Sequence, residues 1–261
     1  MNTLRRYIKH LLLEQIKMAD LKNPYQFHGD RWRSSLGQID GPDLSAYDGK
    51  PISQEETEYV ENWMVDRGIE GANDWVAFSR GSASLMSTIT DCHDDKEYCR
   101  AFDRRDRFIF IAPAVMRPQW QAKDLITKLP SNQIIVYAHE CDGSVSLKQV
   151  AQFANGIGVE KILVYANSPG MTDVRKIGQQ FIGSDGSKKT IEAGKLGIFA
   201  HIEAWKRFTG NTSHDYELPV SAAVQSDLPD WGGSRAESRT AKELLNQIKV
   251  GRELAGFQPL N

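Results

Sequence analysis

The chain has 261 residues, 40% of them hydrophobic and 25% charged, with a formal net charge of -2 and a sequence pI near 6.3. That balance fits an ordinary soluble globular chain, long enough for one large α/β domain or two small ones, and gives no overall basic field of the kind that drives non-specific nucleic-acid binding. Cys92, Cys99 and Cys141 are too few and too unevenly spaced for a disulfide framework or a structural zinc site, and no run approaches the roughly 20 apolar residues of a membrane-spanning helix, so a reducing, cytoplasmic setting without membrane insertion is expected.

Leu4, Ile8, Leu11 and Leu12 recur at helical spacing, with Arg5, Arg6, Lys9 and His10 on the remaining surface, which predicts an amphipathic helix over residues 1–22. The apolar run is broken at Glu14 and no small-residue cleavage site follows, unlike a secretory signal. The pattern Met-polar-Thr, an aromatic and an isoleucine, then Leu12-Leu13-Glu14, resembles the capsid-targeting peptides of internal head proteins of large tailed bacteriophages. That resemblance, confined to this segment, implies a scaffold or capsid partner through residues 1–22, cleavage after Glu14 and a virion location. The Arg5-Arg6 pair departs from the more acidic residues of that family.

Residues 23–52, rich in Gly, Pro, Asp and Ser, read as an extended linker, and residues 53–261 as an α/β domain with a C-terminal loop and helix. Ser53 and Glu56 have capping-box spacing and start a helix that Gly68 stops. From Trp75 onward WVAFS, RFIFIAPAV, QIIVYAH, KILVYAN and KLGIFAHI read as strands, and SASLMSTITDCHDDKEYCRAF, QAKDLITKL, SLKQVAQFANGIG and TDVRKIGQQFI as the helices between them. This alternation predicts a mostly parallel central sheet of about five strands with helices on both faces. The stretch after Lys206 reads as a long surface loop, and a last helix is predicted over Ala236–Leu254 with Leu244, Leu245, Ile248 and Leu254 on one face.

Ligands of open α/β sheets bind beyond the carboxyl ends of the strands. The residues there are Ser79, Arg80, Gly81, Ser82 and Ser84 after the first strand, Met116 and Arg117 after the second, His139, Glu140, Cys141 and Asp142 after the third, Asn167 and Ser168 after the fourth, and His201 or Glu203 near the fifth. Arg80, Gly81, Ser82, Ser84 and Asn167 form the candidate ligand-binding set. Glycine admits close backbone approach, serines donate at a helix start, and arginine grips phosphate or carboxylate. The plainer alternative is a serine-capped helix after a glycine turn. Neither the P-loop nor the Gly-x-Gly-x-x-Gly spacing is present.

His139 and Asp142 are the candidate catalytic pair, a titratable acid or base and an orienting acid, with Glu140 as the alternative orienting acid and Cys141 a nucleophile only if its thiol is activated. The alternative is a polar strand exit, with Asp142-Gly143 as a turn and Ser144 or Ser146 capping the next helix. His93 among Asp91, Cys92, Asp94, Asp95 and Cys99 lacks metal-ligand spacing, so no metal is expected, and no cofactor is identified. Arg80-Gly81 also resembles the first motif of ADP-ribosyltransferases, which would imply NAD binding, but the Ser-Thr-Ser strand and downstream Glu-x-Glu of that family are missing. Two function classes stay open: an α/β enzyme or nucleotide-binding protein acting on a phosphate-bearing or anionic small molecule, and a virion-associated or assembly protein with a structural α/β body.

Overall fold

The computed structural model describes residues 24–28, 74–82, 85–86, 107–114, 134–170, 172–209, 213–231 and 235–260, with only the backbone described for 24–28, 74 and 209. The N-terminal helix and its targeting motif, Ser84, and the elements expected over 53–68 and 121–129 lie outside the described residues, as does most of the helix expected from Ser82 onward.

Five parallel strands form the sheet in sequential order: β1 (Pro24–His28), β2 (Asp74–Phe78), β3 (Arg107–Ile111), β4 (Ile134–His139) and β5 (Lys161–Tyr165). A sixth, β8 (Tyr216–Pro219), adds antiparallel to β5. The mostly parallel α/β architecture agrees with the strand-helix alternation of the sequence. Its edges differ, because β1 falls within the segment read as linker and β8 within the segment read as surface loop. In β8 the buried residues are Tyr216 and Leu218 while Glu217 and Pro219 are exposed, a period-2 pattern only two repeats long.

The strands are apolar on both faces, and alternation sorts them into two cores. Trp75 and Ala77 of β2, Phe108 and Phe110 of β3, and Val136 and Ala138 of β4 meet α1 (Leu147–Gly156) and α3 (Val220–Gln225). Val76 and Phe78, Ile109 and Ile111, and Tyr137 meet Ala204, Trp205 and Phe208 of α2 (Ala193–Thr209) on the other face. Helix α1 begins where expected, with Ser146 and Gln149 forming a capping box.

Two expectations are overturned. KLGIFAHI is not a fifth strand but the start of α2, whose buried residues Ala193, Leu196, Ala200, Ala204 and Phe208 repeat at helical spacing. The period becomes visible only when Trp205–Phe208 is included. TDVRKIGQQFI is not a helix: a short 3-10 turn at Val174–Lys176, capped by Asp173, ends before Gly178. Gly178 adopts a φ of +86°, which a helix cannot continue, and the chain then forms the two-stranded ribbon of β6 (Gln180–Ile182) and β7 (Lys188–Thr190). The final helix α4 (Ala241–Leu254) starts later than expected, at a Thr240–Glu243 capping box, and buries Leu244 and Ile248 while Leu245 is exposed.

Candidate active site

Strand β2 ends at Phe78, and Ser79 turns the chain with a φ of +53° before helical structure begins at Gly81-Ser82. A left-handed serine is strained, because its Cβ crowds the backbone, and such residues persist only where the surroundings hold them. Here the Ser79 N–H donates to the Ile111 carbonyl at 2.9 Å, and the Ser79 carbonyl accepts from Ser82 and Ala114, both at 3.1 Å. The strained turn is thus pinned to the end of β3 and to its own helix. Residues 77–81 read Ala-Phe-Ser-Arg-Gly, the nucleophile-turn pattern Gly-x-Ser-x-Gly with alanine at its first place.

The Ser79 hydroxyl lies 2.7 Å from Nε2 of His201 on α2, and Nδ1 of the same ring lies 2.7 Å from Oδ2 of Asp142. A carboxylate oxygen accepts, so Nδ1 donates to it, and Nε2 is left as the acceptor for the serine O–H. All three residues are buried, Ser79 at 5%, His201 at 1% and Asp142 at 2% exposure. The other carboxylate oxygen of Asp142 accepts from the N–H groups of Ser144 (2.7 Å) and Val145 (3.0 Å). Phe78 packs against the imidazole, ring centroids 4.9 Å apart. Among the described residues this chain of two short hydrogen bonds joins three elements: the β2 exit, the β4 exit and α2.

Two glycines make the approach of acid and base feasible. Gly143, beside Asp142, donates its N–H to the Gly197 carbonyl at 3.1 Å. A Cβ on Gly197 would stand 2.7 Å from the Gly143 Cα, so no side chain fits between the turn and the helix. Gly197 and His201 are four residues apart and share a helix face. Backbone contact at one fixes the reach of the other.

The Asp142 carboxylate is thus joined to His201, whereas the link to His139 is a backbone one, the Asp142 N–H donating to the His139 carbonyl at 3.0 Å. His139 is fully buried at the end of β4, where its Nδ1 accepts from the Cys141 N–H at 3.1 Å and its Nε2 has no hydrogen-bond partner among the described residues. Burial, with the Arg207 charge adding to it, pushes the imidazole down to about 3, so the ring is neutral at physiological pH. Burial, followed by the Glu140 charge, pushes the Cys141 thiol well up, which removes it as a thiolate nucleophile.

Of the ligand-binding set, Arg80 follows the serine and is half-buried, and Gly81 and Ser82 are buried at the helix start. The Ser82 hydroxyl is buried without a partner among the described residues. Asn167 accepts from Val174 N–H at 2.8 Å and from the Cys141 thiol at 3.5 Å, while its side-chain amide nitrogen has no partner among the described residues. The structure ties Asn167 to the β4 exit and to the turn after β5 rather than to Ser79.

Glu140 belongs to a separate buried cluster. Arg252 of α4 grips it in a fork, Nη2 to Oε1 at 2.6 Å and Nε to Oε2 at 2.8 Å, and the Tyr216 hydroxyl donates to Oε2 at 3.1 Å. Ser79 and His201 stood among the strand-exit residues, but neither was singled out. The available signals were the Ser-x-Gly turn at a strand-to-helix junction and the chain order Ser, Asp, His. Compared with known proteins, the chain matches no family model, and no curated protein or solved structure is significantly similar to it.

Proposed function

We propose that the chain is a serine hydrolase that works by acyl transfer, with Ser79 as nucleophile, His201 as general base and then acid, and Asp142 as the residue that orients the imidazole. The observation carrying this reading is the pair of 2.7 Å contacts, Ser79 to His201 and His201 to Asp142, built on a left-handed serine turn. In such a constellation Ser79 Oγ attacks an acyl carbonyl while Nε2 of His201 takes its proton. The imidazolium, steadied by Asp142, then protonates the leaving group, and the acyl group stays on Ser79. Water, deprotonated by the same nitrogen, attacks the acyl-enzyme and restores the serine. A strand-to-helix turn of this kind directs the N–H of the following residue, here Arg80, toward the developing oxyanion.

The expectation of an anionic ligand enters this reading through Arg80. A guanidinium next to the nucleophile favours an acyl or leaving group that carries carboxylate or phosphate. Replacing Arg80 with alanine then raises KM for an anionic ester and leaves a neutral ester little changed. Equal effects on both would remove Arg80 from substrate recognition.

The test is hydrolysis of p-nitrophenyl esters of increasing acyl length by the wild-type chain and by Ser79→Ala. Turnover by the wild type, reduced by about 10⁴- to 10⁶-fold in the variant, is expected. The same rate in both would overturn the reading.

A further inference from the structure

We propose that Gln247 is a positioning residue for the acid of the triad, a role that rests on the hydrolase reading above. Helix α4 buries one stripe, Leu244, Gln247, Ile248, Gly251 and Arg252, and Gln247 is fully buried within it. A primary amide in such a stripe is unfavourable unless both its ends are hydrogen-bonded. Every polar atom of this one is used, and all of its partners lie on the segment that carries Asp142. Nε2 donates to the Glu140 carbonyl at 2.9 Å and to the Asp142 carbonyl at 3.1 Å, and Oε1 accepts from the Leu147 N–H at 2.9 Å.

The consequence for the triad follows from how Asp142 is held. Its carboxylate is tied to its own backbone by the Ser144 and Val145 N–H groups, so the carboxylate goes where the turn goes. Gln247 fixes the turn on both sides: at residues 140 and 142 before the bend, and at Leu147, the first residue of α1, after it. The Trp231 indole N–H adds a weaker donation to the same Asp142 carbonyl at 3.4 Å, and Arg239 donates to the Gly143 carbonyl at 3.0 Å. Sequence separations of 105 and 107 residues mean that the last described helix sets the position of an acid at the exit of β4. A shift of about 1 Å in a triad partner costs as much as 100-fold in rate, so a loosened turn is felt at Ser79 through His201.

The experiment uses the full chain with p-nitrophenyl acetate as probe. Gln247→Leu removes all three bonds at similar volume. Trp231→Phe deletes the weaker donation and keeps an aromatic ring beneath the Arg239 guanidinium, which covers the case in which the first variant fails to fold. Leu218→Ala, in a buried position of β8, serves as a control that destabilises while leaving every hydrogen bond between Gln247 and the turn in place. The expected result for Gln247→Leu is a kcat lowered by about 10- to 100-fold per folded molecule, with KM changed by less than about two-fold. Trp231→Phe is expected to lower kcat by about two- to five-fold in the same way, as loss of one long hydrogen bond implies. The downfield proton resonance of the His201 Nδ1–H is expected to be present in wild type and Leu218→Ala and to be broadened or shifted in Gln247→Leu. Unchanged kcat and an unchanged resonance in both turn variants, with a wild type that depends on Ser79, would overturn the role of Gln247 alone. A kcat loss in Leu218→Ala equal to that in Gln247→Leu would also overturn it, because the effect would then follow stability. A wild type with no Ser79-dependent turnover would overturn this role together with the hydrolase reading.

Discussion

Glu140 and Asp142 lie two residues apart on the same strand exit, both buried, and they do opposite work. Glu140 turns toward α4, where a guanidinium fork and the Tyr216 hydroxyl satisfy it, and Asn167 N–H closes the cluster. Asp142 turns toward α2, where an imidazole and two backbone N–H groups satisfy it. The first acid meets a permanent cation and makes a fixed staple between the sheet and the C-terminal helix. The second meets a group that can change its charge and that touches a hydroxyl on a strained turn. Chemical potential in a buried carboxylate thus comes from its partner, not from its depth.

The comparison breaks most visibly at Asp142. Asparagine there keeps the shape but offers the imidazole an N–H, so the wrong tautomer is favoured, and kcat in an ester assay is expected to fall about 10⁴-fold with the fold intact. Retention of a tenth of wild-type kcat would place Asp142 with Glu140 as a structural acid. Arg252→Met probes the other side. Removing one partner leaves a buried charge uncompensated, and chemical denaturation is expected to show a loss of about 3–5 kcal/mol, with kcat per folded molecule held within about three-fold. A large drop in kcat without loss of stability would mean that the staple also serves the chemistry.

The pH-dependent effect concerns His139. Its folded value of about 3 lies below the unfolded 6.5, so the unfolded chain binds more protons between those limits. Stability from this group is present above pH 6.5 and is lost as pH falls toward 3, at up to about 1.4 kcal/mol per pH unit. His139→Asn keeps an acceptor for the Cys141 N–H and removes the titration. Its melting temperature is expected to fall less steeply than wild type between pH 6.5 and 4, and parallel curves would show that His139 does not contribute to acid sensitivity.

The sheet was legible because β2 to β5 are apolar on both faces and the segments between β4 and β5 carry a clear cap and period. The polar exits that follow those strands were legible for the same reason, with Ser79 and Asp142 among them, whereas His201 was read beside a strand that is in fact helix α2. Their assembly was not. Sequence proximity favoured His139 as the partner of Asp142, whereas the contact that forms spans 59 residues and depends on two glycines touching across the turn. Reading KLGIFAHI as a strand hid the helix face that brings His201 to Ser79. The edge strands β1 and β8 were missed because a five-residue and a four-residue strand carry too little pattern to stand out from polar, proline-containing surroundings.

The most direct test is covalent capture of the nucleophile. The full-length chain is treated with a fluorophosphonate, and the adduct is located by intact mass and peptide mapping, in wild type and in His201→Ala. A single phosphonyl group on Ser79, formed rapidly in wild type and at least about 100-fold more slowly without the histidine base, is the predicted result. A wild-type chain that stays unmodified, or one labelled at another residue at a rate indifferent to His201, would contradict the account.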